Sequence, residues 1–188
     1  MRVFAGIALP ESVTDHLSHA LEMISPTNQK RALWIPSTNW HVTLGFYGEQ
    51  PEGMEEELTE NLRRAARTVA PFEIGLAGAG VFHKDVCWIG IRDPREVLGP
   101  LADEVRGDHA ARDQHAKNRF HVTVSRSGRH GDLANAMAAL SVYQGPTWMV
   151  DRLTLFESRL GEGMGGHPLY TVLAEVPLGR LSPANPRT

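Results

Sequence analysis

The chain contains one four-residue pattern twice, as His41-Val42-Thr43-Leu44 and as His121-Val122-Thr123-Val124. In each copy a histidine and a threonine alternate with two apolar residues. This period of two predicts a strand with the histidine and threonine on one face and the apolar pair on the other. The apolar pair therefore belongs to a core, and the polar pair faces a surface or a cleft.

The elements around the two copies follow a similar order along the chain, which predicts a degenerate duplication. We expect an α+β fold of two lobes, each with an antiparallel sheet and flanking helices, related by a pseudo-twofold axis with the active-site cleft between them. Residues 1–180 would form this single bilobal domain, and residues 181–188 a flexible tail. The predicted strands cover 2–9, 41–46, 72–82, 86–91, 120–125, 148–158 and 169–176, and the predicted helices 11–24, 54–69, 95–106 and about 132–140.

Composition narrows the class of protein. The 188 residues carry 19 Lys and Arg against 22 Asp and Glu, a net charge of −3, which argues against indiscriminate DNA binding. The single cysteine excludes an internal disulfide and a cysteine-rich zinc site. No apolar run approaches the roughly 20 residues of a membrane-spanning helix, and the first ten residues are too short for a signal peptide. These features predict a soluble, cytoplasmic protein, and we expect it to be a monomer.

The paired pattern indicates acid–base chemistry. Two imidazoles at one cleft suit a reaction that needs a base and an acid near neutral pH, as phosphodiester cleavage does. His41 and His121 are the candidate catalytic pair, and the hydroxyls of Thr43 and Thr123 would hold the phosphate oxygens. Arg126 ends the second strand and would clamp the phosphate. The scheme needs no metal ion or other cofactor.

A basic segment surrounds the second copy. Residues 106–130 hold six Lys and Arg against two Asp and Glu, a pattern equally typical of a solvated loop and of an RNA-facing one. Lys117, Arg119 and the aromatic Phe82 are candidate RNA contacts. In the first copy Phe46 occupies the place of Arg126, so the predicted cleft is asymmetric.

Two other functions compete with the enzyme. The basic segment would also suit a nucleotide-binding or RNA-binding module without catalysis. A metallohydrolase would need His41, His121 and a third ligand such as His83, His115 or His167, and no metal-binding spacing supports it.

Four stretches resemble the two-histidine phosphoesterase superfamily, and within it the RNA 2',3'-cyclic phosphodiesterases, formerly called 2'-5' RNA ligases. They are Met1–Pro10, 34–49, Phe120–Arg126 and Leu153–Ser158. The resemblance implies a bilobal α+β fold and metal-independent hydrolysis of an RNA terminal 2',3'-cyclic phosphate to a 2'-phosphomonoester. It also implies reversible joining of RNA ends through a 2'-5' bond.

The resemblance carries residue roles to the matching positions. His41 and His121 become the acid–base pair, with His41 protonating the leaving 3' oxygen and His121 activating water. Thr43, Thr123 and Arg126 become phosphate-binding residues, and the partner is an RNA with a cyclic phosphate end or a cyclic nucleotide.

Overall fold

A computed structural model describes residues 1–24, 34–83, 86–107, 119–126 and 137–179 of the chain. Three α-helices lie wholly within these residues: α1 (Glu11–Ile24), α2 (Glu55–Arg67) and α3 (Leu98–Arg106). Residues 137–139 are also helical. The strands are β1 (Arg2–Ala8), β2 (His41–Glu49), β3 (Phe72–Phe82), β4 (Val86–Arg92), β5 (His121–Arg126), β6 (Gln144–Val150), β7 (Arg152–Arg159) and β8 (Leu169–Pro177). The predicted α+β architecture, an antiparallel sheet with flanking helices, is confirmed.

The strands form one sheet in the order β6-β3-β4-β5-β2-β1-β7-β8, and every pairing is antiparallel. The expectation of a separate sheet in each lobe is wrong, because β2 and β5 pair directly where Val42 lies opposite Val122. This one residue pair joins the strands β6-β3-β4-β5 to the strands β2-β1-β7-β8 in a single sheet. The strands that carry the two patterns are therefore neighbours at the centre of the sheet.

Each side of the β2–β5 junction takes strands from both halves of the chain. β1, β2, β7 and β8 lie on one side, and β3, β4, β5 and β6 on the other. The predicted β3–β4 hairpin is present, but it lies beside β5 rather than in a lobe with β1 and β2. About the junction, β1 and β4 hold equivalent places, as do β2 and β5.

The single strand predicted over residues 148–158 is two strands. Trp148 and Val150 of β6 are buried, whereas Asp151 and Arg152 are consecutive exposed residues that interrupt the alternation before Leu153 of β7. β6 pairs with β3, and β7 pairs with β1 and β8. Because Asp151 alone separates β6 from β7, the sheet must curl to bring these distant positions together.

One buried apolar cluster extends across the whole sheet and includes Val42, Leu44, Val122 and Val124. The helices cover this face: α1 contacts β6, α3 contacts β2, and α2 contacts β7 and β8. Buried Val13, Leu17 and Leu21 form the predicted stripe of α1. The two patterns therefore anchor their strands in a shared core.

Two predicted segments lie largely or wholly outside the described residues. Of the helix predicted at about 132–140 the structure describes only 137–140, where Met137 and Leu140 are buried. The predicted tail at 181–188 is not described. No helix in the described part of the chain is long and apolar enough to cross a membrane.

Candidate active site

The two patterns place four polar side chains on one face of the central strands. His41, Thr43, His121 and Thr123 are all half-buried. The residues between and after them, Val42, Leu44, Val122 and Val124, are buried with at most 1% exposure. Because β2 and β5 run antiparallel with Val42 opposite Val122, this register sets His41 across from Thr123 and Thr43 across from His121.

Both imidazoles are held in the same way. Nδ1 of His41 lies 2.8 Å from the carbonyl oxygen of Asn39, and Nδ1 of His121 lies 2.7 Å from that of Arg119. A carbonyl oxygen only accepts hydrogen bonds, so Nδ1 of each ring carries the donated proton. Nε2 is then the atom of each ring that gains or loses a proton.

Burial makes His41 a weak proton acceptor in the unliganded protein. Its pKa is lowered from 6.5 to about 4, and loss of hydration on burial is the largest cause. The bond to the Asn39 carbonyl raises the pKa, and the charges of Arg126 and His121 lower it. The pKa of His121 is also lowered, chiefly by burial and then by Arg126, against the bond to the Arg119 carbonyl. Both rings are therefore neutral near pH 7 before a substrate binds.

Arg126 acts electrostatically on both histidines, as expected of a guanidinium that faces the same cleft. It ends β5, where it lies opposite Val86 of β4, and it is exposed. Among the described residues no carboxylate forms an ion pair with it. Its charge is available to an anion, and a bound anion would offset its effect on the histidines.

Aromatic rings surround His41. The ring centroid of Phe4 lies 4.6 Å from that of His41, Tyr170 meets it edge-on at 5.3 Å, and Phe156 lies 5.9 Å away. Sequence reasoning missed these three residues, because only the strand order brings β1, β7 and β8 to the same side of β2. Phe46, the counterpart of Arg126, contacts Phe4 at 5.6 Å and confirms that the two ends of the cleft differ.

A second group of rings lies at His121. Phe82 stands edge-on to His121 at 5.1 Å and stacks on Trp88 at 5.0 Å, and the Arg119 guanidinium carbon lies 5.1 Å from the Trp88 ring centroid. The structure thus brings two of the predicted RNA contacts, Phe82 and Arg119, to the site. The third, Lys117, lies outside the described residues, as does most of the basic segment.

Within the described ranges, no three His, Cys, Asp or Glu side chains are grouped so that they could hold a metal ion. This includes His83 and His167, two of the third ligands considered for a metallohydrolase, whereas His115 is not described. Two aromatic residues of the β2 region have packing roles. Trp40, directly before β2, is buried, and the hydroxyl of Tyr47 in β2 donates to the Val105 carbonyl at 2.9 Å.

Fold and site together define a class: an antiparallel α+β protein with a two-histidine centre of the phosphoesterase type. The profile of the 2'-5' RNA ligase superfamily matches residues 10–162, and the chain belongs to this family. It is 32% identical to the RNA 2',3'-cyclic phosphodiesterase of Thermus thermophilus over 95% of this chain and 90% of that one. It is 27% identical to the enzyme of that name from Thermotoga maritima over 93% and 94%.

Solved structures show the same fold. A Thermus thermophilus crystal structure superposes with a TM-score of 0.76 at 27% identity, covering 96% of this chain and 99% of that one. Escherichia coli LigT complexed with 3'-AMP superposes with a TM-score of 0.70 at 25% identity, covering 95% and 98%.

Proposed function

We propose that this chain hydrolyses the 2',3'-cyclic phosphate at an RNA 3' end to a 2'-phosphomonoester, without a metal ion. We also propose that it can reversibly join RNA ends through a 2'-5' bond, when the 5' hydroxyl of a second RNA attacks the cyclic phosphate in place of water. The observation that carries the proposal is the symmetric pair of histidines on facing strands, each with Nδ1 held and Nε2 left to exchange a proton. The names of the relatives supply the RNA substrate class, which the histidines alone do not specify.

The cleft suits a phosphate anion bound between the two rings. The hydroxyls of Thr43 and Thr123 can donate to its non-bridging oxygens, and Arg126 adds a positive charge. Water then attacks phosphorus and passes a proton to Nε2 of His121. The bond from phosphorus to the 3' oxygen breaks, and this oxygen takes a proton from Nε2 of His41.

The order in which the two histidines take up protons in the unliganded protein has a consequence for these roles. The pKa of His41 is lowered to about 4, chiefly by burial, and the positive charge of His121 is one of the other causes. We therefore expect His121 to take the first proton when no substrate is present. With His41 as the acid, the bound phosphate must raise its pKa enough to bring the proton there. Substrate binding is therefore expected to take up a proton, which calorimetry in buffers of different ionisation enthalpy would detect.

Single substitutions test the catalytic pair. His41→Ala and His121→Ala should each lower turnover of an RNA with a 2',3'-cyclic end by roughly 100-fold or more, because each removes one of the two proton transfers. His19→Ala, on the exposed face of α1, is the matched control and should retain activity. Full activity in either site variant contradicts the proposal, and tight binding without product would indicate a non-catalytic RNA-binding module.

The product and the metal requirement are tested on the same substrate. The expected product carries a 2'-phosphate, and EDTA should leave the rate unchanged because imidazoles perform both proton transfers. A 3'-phosphate product would show that the 2' oxygen leaves, which contradicts the proposed assignment of the 3' oxygen. Loss of rate in EDTA that added Zn²⁺ restores would contradict the two-histidine scheme. A cytoplasmic location and a monomeric state stay predictions.

A substrate whose leaving group needs no proton distinguishes the role of the acid from the role of the base. On a phosphodiester with a 4-nitrophenolate leaving group, His41→Ala should regain most of its lost rate, because no acid is then needed. His121→Ala should remain slow, because water still needs a base. The opposite pattern would exchange the two roles.

A further inference from the structure

Asn39 is held on two sides, directly before the strand that carries His41. It ends a short 3₁₀ helix (Ser37–Asn39), and its backbone N–H donates to the Pro36 carbonyl at 2.8 Å. Its side-chain nitrogen Nδ2 donates at 2.7 Å to the carbonyl oxygen of Pro168, which lies 129 residues further along the chain. The backbone carbonyl of Asn39 is the group that accepts from Nδ1 of His41. Asn39 therefore joins the start of β2 to the residue before β8.

The hydrogen bond between Asn39 and Pro168 completes a closed set of contacts around His41. Asn39 lies two residues before His41, and Pro168 lies two residues before Tyr170. The Tyr170 ring meets the His41 ring edge-on, with their centroids 5.3 Å apart. Separation of Asn39 from Pro168 would therefore disturb two neighbours of the imidazole, the carbonyl that accepts from it and the aromatic ring beside it.

His41 has space beside it in which its ring could turn. A cavity of about 270 Å³ is lined by His41, Asn39 and Tyr170, among others. Rotation of an imidazole about the bond that joins it to Cβ moves Nε2 away from its target, and small displacements of reacting groups are costly. The hydrogen bond from Nδ1 to the Asn39 carbonyl opposes this rotation, so the position of that carbonyl decides where Nε2 points.

His121 is supported in a different way. Arg119 supplies the carbonyl that accepts from it, but Arg119 is exposed, and its guanidinium carbon lies 5.1 Å from the centroid of the Trp88 ring. Trp88 belongs to β4, the strand next to the one that carries His121. The hydrogen-bonded connection to a distant segment is therefore a feature of the His41 side of the cleft.

We propose that Asn39 is a positioning residue for His41. Its side-chain amide, bound to the Pro168 carbonyl, fixes the backbone carbonyl that directs Nε2 of His41 at the leaving oxygen. This inference rests on the proposed function, in which His41 protonates that oxygen. A carboxamide has no proton to transfer near neutral pH, so Asn39 acts through His41.

Asn39→Ala tests the proposal, because it removes the amide and keeps the backbone carbonyl. On an RNA with a 2',3'-cyclic end we expect kcat/KM to fall by about tenfold. The double variant with His41→Ala should be no slower than His41→Ala alone, because residues that act through one group give non-additive losses. On the phosphodiester with a 4-nitrophenolate leaving group, Asn39→Ala should stay within about twofold of the wild type, since no acid is needed there.

Gly163→Ala tests the same hydrogen bond from the side of its acceptor. A Cβ at Gly163 would lie 2.7 Å from the carbonyl oxygen of Pro168 and 2.8 Å from that of His167, so these backbone groups must shift. The φ of Gly163, −86°, suits any residue. We expect the pattern of Asn39→Ala, a slower reaction on the RNA only. Met164→Ala, at the next residue, removes a side chain that is 84% exposed and should affect neither substrate.

Three outcomes would overturn the positioning role: equal losses on the two substrates, additive losses in the double variant, or wild-type rates in Asn39→Ala. A wild type that is inactive on the RNA, or full activity in His41→Ala, would instead contradict the proposed function. Thermal melting checks that each variant folds. If Asn39→Ala does not fold, Gly163→Ala decides the question on the same two substrates, alone and combined with His41→Ala.

Discussion

Each imidazole of the proposed catalytic pair is oriented by a carbonyl two residues upstream in its own chain segment, Asn39 for His41 and Arg119 for His121. A backbone acceptor sets the tautomer without placing a second ionisable group beside the ring. What then separates the two histidines is their surroundings: three aromatic rings around His41, and Phe82 with Trp88 at His121. Burial is the largest cause of the lowered pKa of His41, which is about 4.

The pH dependence of kcat/KM follows from these pKa values. The productive complex contains one proton on the histidine pair, but both histidines of the unliganded protein are neutral above 6.5, since both pKa values are lowered. We expect kcat/KM to fall about tenfold per pH unit on the alkaline side, and to fall again below about 4, where His41 gains its own proton. The optimum should lie between these limits. A profile from pH 4 to 9 would measure this, and an optimum above pH 7 would contradict it.

At the scale of the element, the active site depends on close approach of β1 to β2. Gly6 of β1 lies opposite Thr43, and a Cβ at Gly6 would lie 2.6 Å from the carbonyl oxygen of Val42 and 3.7 Å from Cδ2 of His41. The obstacle is backbone and cannot rotate away. Gly6 therefore lets β1 carry Phe4 and Ala8 beside the first histidine without pushing β2 aside.

Gly6→Ala should accordingly displace β2. We expect a loss of about 1–3 kcal/mol in the free energy of unfolding, and a fall in turnover of about tenfold or more, because small displacements of reacting groups are costly. Denaturant unfolding and steady-state kinetics would measure both. Gly99→Ala controls for the substitution itself: apart from its chain neighbours, a Cβ there meets no atom within 4 Å, so its effect should be smaller than that of Gly6→Ala. If Gly6→Ala is as stable as the wild type, β1 and β2 can move apart without cost, which contradicts the prediction.

The strands were predictable because they are short apolar or alternating runs, with alternation at the motifs of β2 and β5 and continuous buried runs in β1, β4 and β7. β3 begins and ends where predicted. The prediction of one strand over 148–158 was wrong for a local reason: Asp151 and Arg152 interrupt the alternation where β6 ends and β7 begins. The prediction of a separate sheet in each lobe was wrong for a non-local reason. Nothing in the pattern of Val42 or Val122 states which strand lies beside it, because a half-buried strand has the same alternation whatever its partner.

At the scale of the molecule, two half-buried histidines kept neutral in the fold make stability depend on pH. In the unfolded chain each titrates near 6.5, whereas His41 does so at about 4 in the folded protein. Between these values the unfolded state binds more protons, so its free energy falls relative to the folded state as the pH decreases. The stabilisation is fully present above 6.5 and is lost as the pH falls toward 4.

Comparison of wild-type protein with His41→Gln isolates this effect from carboxylate titration. The wild type should lose about 2–3 kcal/mol more of its unfolding free energy than the variant between pH 7 and pH 4, with the partial exposure of the ring keeping the figure below the full pKa shift. Urea unfolding at a series of pH values would measure it. Parallel stability curves for the two proteins would show that His41 is not held neutral.

The sequence by itself determined the two strands, the polar face with both histidines and both threonines, and the class of chemistry, because alternation decides which residues share a face and imidazoles decide what they can do. Only the tertiary structure decided that these strands pair with each other, that Phe4, Phe156 and Tyr170 enclose one histidine, and that Trp88 and Arg119 flank the other. These contacts join residues far apart in the chain. Strand order and sheet curvature create them, and neither has a local signature.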